Sequence, residues 1–183
     1  MSYQSDISVS KRASLTEFFI TIVLAFAFFV YLSITIYTKD PLWVWPVYNS
    51  QPVSALIRCY GGEVGLEGHS TDLTAIAGMV NEQLSGKKRW DELNLTDQTY
   101  EEYQSSPRMM ILELFYDSPQ RVHSSSPFFS NFDSLLIPLD GRHSDTSIIF
   151  ALIGGMPGGG SFHVQDFQPV VDYLVQRNIC SKP

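Results

Sequence analysis

The chain has 183 residues, 44% of them hydrophobic, and a formal net charge of −7 at pH 7. From Lys39 onward ten Lys or Arg stand against seventeen Asp or Glu, so the whole negative excess lies on that part. Such a body repels phosphate backbones, which sets nucleic acid aside as a partner and leaves basic proteins, cations or mere solubility as its uses. The two cysteines form no C-x-x-C, which sets aside a zinc-finger arrangement and covalent c-type haem attachment.

Residues 1–16 form a polar, serine-rich arm too short to fold by itself. Then Phe18 to Tyr37 runs twenty residues without a charge, proline or glycine. A helix of that length spans about 30 Å, the thickness of a bilayer's hydrocarbon core. Apolar residues go round every face, so residues 17–38 read as a transmembrane anchor that presents Phe18, Phe19, Phe26, Phe28, Phe29 and Tyr37 to lipid or to neighbouring helices. Thr21, Ser33 and Thr35 are tolerable there because each hydroxyl can bond to the carbonyl one turn earlier. The competing readings are a buried core helix, which would show a polar stripe, and a cleaved signal peptide. Lys11 and Arg12 precede the run as an n-region would, but the run is longer than a typical h-region and Ser33-Ile34-Thr35 makes a poor cleavage site. The same basic pair puts the amino terminus in the cytoplasm of a cell (inner) membrane and the rest of the chain on the periplasmic or extracellular side.

Residues 39–50 contain Pro41, Trp43, Trp45, Pro46 and Tyr48. The prolines stop the helix, and Trp43 and Trp45 suit an interfacial aromatic belt, the alternative being that they pack into the folded domain. Residues 51–183 are enough for one domain. A strand is expected over 53–60, then a glycine-bearing loop (Gly61, Gly62, Gly65, Gly68). Ser70-Thr71-Asp72 supplies N-cap chemistry for a helix over 71–85 that buries Leu73, Ile76, Ala77, Val80 and Leu84 and stops at Gly86. Lys87-Lys88-Arg89 reads as a solvated turn, with contact to lipid headgroups, worth about 1 kcal/mol per charge, as its alternative. A short helix fits 96–104.

β-rich runs follow at 109–116, 132–139, 147–153 and 161–164, and Pro169 opens a last helix over 167–177 with Val170, Val171, Leu174 and Val175 turned inward. The order implies an α+β domain with a largely antiparallel sheet of about five strands and two or three helices on one face. Glu113 shares a strand face with Met109, Ile111 and Phe115, either in the core or at an edge.

Cys59 and Cys180 are candidates for a disulfide, persistent if the domain is exported, that closes a loop of about 120 residues and adds roughly 4–5 kcal/mol. Two separate buried thiols are the alternative. Gly154 to Gly160 lacks the following helix and lysine of a phosphate-binding loop, so it reads as a mobile hairpin tip on which Met156 and Pro157 could dock a partner. Asp140 to Asp145 holds an acid, a base and a hydroxyl, but consecutive turn side chains point apart, so a polar turn with Arg142 and His143 as contact residues is favoured over a catalytic triad. His69, His123, His143 and His163 show no metal-ligand spacing, and no cofactor is expected. These readings together imply a non-catalytic single-pass protein, an accessory or regulatory subunit whose partners are the bilayer and other membrane subunits. The alternatives are an anchored ligand- or peptide-binding sensor with the Gly154 to Gly160 loop as its lid, and, third, an anchored hydrolase.

Overall fold

The computed structural model describes residues 15–127 and 129–181. The polar arm lies outside them except for its last two residues, which begin the first helix. That helix, α1 (Leu15–Thr38), is long and apolar enough to cross a membrane, and none of its apolar window is buried against the rest of the chain. A core helix would be covered, so that reading is removed. Its hydroxyls bond inward, Thr21 to the Glu17 carbonyl and Ser33 to the Phe29 carbonyl, both at 2.8 Å. No polar group is thereby left facing hydrocarbon at those turns.

The domain is one seven-stranded sheet built from β1 (Ser54–Cys59), β2 (Gly62–Glu67), β3 (Arg89–Asp91), β4 (Met110–Gln120), β5 (Phe132–Asp140), β6 (Ile148–Ile153) and β7 (Met156–His163). The order across it is β2-β1-β4-β5-β6-β7-β3, and every neighbouring pair is antiparallel. Two strands exceed the expected five. β2 lies within the expected glycine loop: Tyr60 (φ +49°) and Gly61 (φ +93°) close a two-residue turn, and Val64 and Leu66 alternate inward against the core. β3 is three residues long, too short for a pattern to announce it.

The hairpin tip expected over Gly154 to Gly160 is present but shorter. Only Gly154 (φ +58°) and Gly155 (φ +78°) form the turn, and the remainder is the start of β7, paired to β6. Gly160 (φ +70°) is required by close approach, because a Cβ there would collide with the Trp90 indole and the Asp91 carbonyl of β3.

The helices divide between the two faces. α2 (Thr71–Ser85) and α4 (Gln168–Gln176) cover one face, burying Ile76, Val80, Leu84, Val170 and Leu174 against Ile57, Leu112 and Ile137 of the sheet. α3 (Asp97–Ser105) and Leu95 cover the other, where Tyr103 meets Ile111, Leu136 and Phe150. Ser70 caps α2 by accepting from the Leu73 amide at 3.2 Å, and the helix stops at Gly86. In α4, Val175 is exposed rather than inward, since the helix buries Val170 and Leu174, packs Val171 partly against the core and leaves Val175 on the solvent side. Cys59 and Cys180 are joined by a disulfide across 5.7 Å between their Cα atoms.

Alternation of antiparallel turns sorts the loops to two ends. The β4–β5 connection and the β6–β7 turn lie at the end where α1 leaves the domain, here the anchor end. The β1–β2 turn and the β5–β6 loop, with its 3₁₀ turn at Ser144–Thr146, lie at the far end.

Candidate functional site

The anchor and the domain meet in a folded junction. Thr38 bonds back to the Ile34 carbonyl at 2.8 Å, Lys39 takes a left-handed conformation (φ +53°), and the Asp40 amide donates to Thr38 Oγ1 at 3.3 Å. Asp40 Oδ1 then accepts from the Leu42 amide at 3.0 Å, which turns the chain back on itself. Trp43 donates its indole N–H to Thr35 Oγ1 at 3.2 Å and stacks on Tyr31, with ring centroids 6.2 Å apart, while the Tyr31 hydroxyl donates to the Pro41 carbonyl at 2.9 Å. Trp43 therefore packs on its own helix, whereas Trp45 and Tyr37 stay exposed.

The Asp40 side chain is buried, and burial of a carboxylate demands a partner. His123, in the β4–β5 connection, provides it: Nδ1 lies 3.0 Å from both carboxylate oxygens. Arg121 donates to the Lys39 carbonyl at 3.3 Å. The linker is then pinned to the domain. The Tyr48 amide donates to Ser85 Oγ at 2.8 Å, Asn81 donates to the Ser50 carbonyl at 3.0 Å, the Ser50 hydroxyl donates to the Gln120 side chain, and the Tyr48 ring sits in the core against Phe132. Helix, linker and domain thus form one connected unit.

Two clefts flank the linker. One, about 350 Å³, lies between Trp43, Val44 and Pro46, the lysines Lys87 and Lys88 that follow α2, and His123. Lys88 Nζ donates to the Leu84 carbonyl at 2.6 Å, capping α2, and burial pulls its pKa down. The other, about 480 Å³, lies between Pro52 and Val53 on one side and His69, Leu73 and Thr74 on the other, with Asp117 beside them.

The remaining candidate residues are distributed as follows. Phe18, Phe19, Phe26, Phe28 and Phe29 are exposed around α1. Arg142 and His143 lie at the far end, where Arg142 pairs with Glu102 at 2.6 Å and His143 Nδ1 meets the Tyr103 hydroxyl. Burial, and secondarily the Arg142 charge, lowers the pKa of His143, and burial pushes Tyr103 up to about 12. Asp140 takes the Tyr60 hydroxyl and Ser144 donates to the Gly141 carbonyl, so acid, base and hydroxyl engage three different partners and do not converge. Met156 is 71% exposed and lies with half-buried Pro157 at the anchor end, across the turn from Ile153, which is also exposed. His163 bridges Asp91 and the Thr146 carbonyl, each at 3.0 Å. Among the described residues no group of three His, Cys, Asp or Glu could hold a metal ion.

Sequence reasoning missed Asp40, Arg121 and His123, because Asp40 and His123 are 83 residues apart and only the fold brings them together. It also left Glu113 undecided. The carboxylate is buried on the α3 face, 2.8 Å from Arg58 and 3.2 Å from the Tyr100 hydroxyl. Compared with known protein families, curated proteins and solved structures, the chain matches none.

Proposed function

We propose that this protein is a non-catalytic, single-pass accessory or regulatory subunit of a larger membrane complex, with the acidic domain held against the outer side of the assembly. The observation that carries the reading is the junction. A domain that merely needed tethering could hang on a loose linker, yet here Asp40–His123, Arg121 and the Trp43 stack fix it to a helix whose Phe-rich surface is covered by no other part of the described residues. A fixed relation between domain and membrane is useful to a part that fits a larger body. The Cys59–Cys180 bond agrees with a domain on the oxidising side, and the acidic surface suits a basic protein neighbour.

A second reading, an anchored binding domain, is favoured by the cleft of about 480 Å³ beside His69 and Asp117. Gly154 to Gly160, the segment considered as its lid, is a turn followed by the start of a strand paired to β6, which speaks against a lid there. The two readings separate on the helix surface. Replacing Phe26, Phe28 and Phe29 with Leu keeps the helix apolar while changing its packing. The subunit reading expects copurifying partners to fall severalfold with the domain still folded; unchanged copurification would defeat intramembrane packing as the basis of assembly.

A further inference from the structure

We propose that the cleft at the junction binds the phosphate group of an anionic glycerophospholipid headgroup from the leaflet that α1 enters. The inference rests on the reading of α1 as a membrane anchor and goes beyond the subunit assignment. The basic run of the sequence, set in an acidic domain, is delivered by the end of α2 to the base of the anchor: Lys87 and Lys88 face Trp43, Val44 and Pro46 across the cleft, and His123 closes one side. Among the described residues no carboxylate lines the cleft; the nearby Asp40 is turned onto His123 Nδ1.

The parts match the two halves of a lipid. The exposed apolar side chains of Val44 and Trp45, a few residues beyond the end of α1, suit the glycerol and upper acyl region, where aromatic rings gather at a membrane interface. An ammonium and a hydroxyl suit the phosphate. Lys88 is held in position because one of its three donors is fixed on the Leu84 carbonyl at 2.6 Å; that contact also offsets the negative carbonyl end of α2, which would otherwise disfavour an anion there. Ser125 adds an exposed hydroxyl group to the rim, while the Ser124 hydroxyl is turned onto the Ser126 carbonyl at 3.2 Å. The half-buried Lys88 ammonium is disfavoured by its surroundings, and a bound phosphate would offset that burial.

The test uses the full chain in nanodiscs, with bound lipid counted by native mass spectrometry and exchange measured between discs of pure phosphatidylcholine and discs containing phosphatidylglycerol. The expected result is selective retention of phosphatidylglycerol, reduced roughly fivefold for each charge removed and so about thirtyfold in Lys87→Gln/Lys88→Gln. Because Lys88 also caps α2, Ser125→Glu serves as a second variant: it leaves that cap alone, places a negative charge on an exposed rim position, and should lower retention as well. Equal retention of both lipids by the wild type would overturn the proposal, as would retention that neither variant changes. Inorganic phosphate titrated against the detergent-solubilised protein separates the sources: binding as tight as that of the lipid would assign the cleft to free phosphate instead. Failure of the anchor reading is seen separately, as release of the protein from membranes by alkaline carbonate.

Discussion

At the far end of the sheet, the Cys59–Cys180 bond, the Tyr60–Asp140 hydrogen bond and the Arg142–Glu102 pair all join the domain to itself. At the anchor end the corresponding groups, Asp40, Arg121 and His123, join the domain to α1, and the apolar side chains of Val44, Trp45, Ile153 and Met156 are left uncovered. The far end is stapled and inward-looking, while the anchor end leaves apolar side chains exposed. The contrast is between an end whose polar groups, the far-end loop included, are engaged within the domain and an end whose apolar groups are exposed beside α1.

The largest effect that would sharpen this contrast is loss of the staple. Cys59→Ser with Cys180→Ser should cost roughly 4–5 kcal/mol by the loop-closure model, lowering the melting temperature by on the order of 15 °C, with membrane association unchanged. Thermal melts with and without reductant check it. At the other end, Asp40→Asn leaves the half-buried His123 with a neutral partner. A loss of about 1.4 kcal/mol there opens the junction roughly tenfold more often, read as faster proteolysis within 39–50, while the domain's own melting barely moves. Equal loss of domain stability would mean that the two ends are not separable in this way.

The far end should also titrate at both extremes. Burial lowers the pKa of His143 from the ordinary 6.5, so the folded domain binds this proton less readily than the unfolded chain does; the contribution is present above pH 6.5 and is lost as the pH falls. His143→Gln should flatten that acid limb in pH-dependent denaturation. Tyr60, pushed up to about 12 by burial and by Asp140, keeps its proton when folded, so its contribution is whole below pH 10 and lost as pH rises through 12. Tyr60→Phe should flatten the alkaline limb. The smallest stability effect belongs to Ile153→Thr with Met156→Ser, within about 0.5 kcal/mol since both are exposed, yet it should weaken copurification; unaltered copurification would remove the hairpin from the contact surface.

Much of this architecture was legible because local rules and burial agreed. The uninterrupted apolar run of α1, the Ser70 cap and Gly86 stop of α2, and the strands rich in Ile, Leu and Phe all state their structure within a few residues. β2 was hidden because its glycines read as loop, although Val64 and Leu66 alternate, and the first half of β7, ahead of the expected run at 161–164, because Gly159 and Gly160 adopt positive φ inside the strand, where Gly160 packs against Trp90 and the Asp91 carbonyl. Arg58 could not be assigned to Glu113 from sequence, since the pairing lies across neighbouring strands and depends on register. The junction was illegible for the same reason: Trp43 and Trp45 announced an interface, but that one packs back on Tyr31 and the other stays exposed follows from the turn at Asp40, whose partner is supplied by a distant loop.

The most direct test of the central claim is gentle detergent extraction from native membranes, followed by sizing and mass spectrometry of what travels with the protein. An accessory subunit fixed to its anchor by the Asp40–His123 junction should emerge in a particle much larger than its own mass, with partners at constant stoichiometry. A lone monomer, retaining its anchor and its disulfide but no companion, would contradict the account and turn attention to the cleft beside His69 and Asp117.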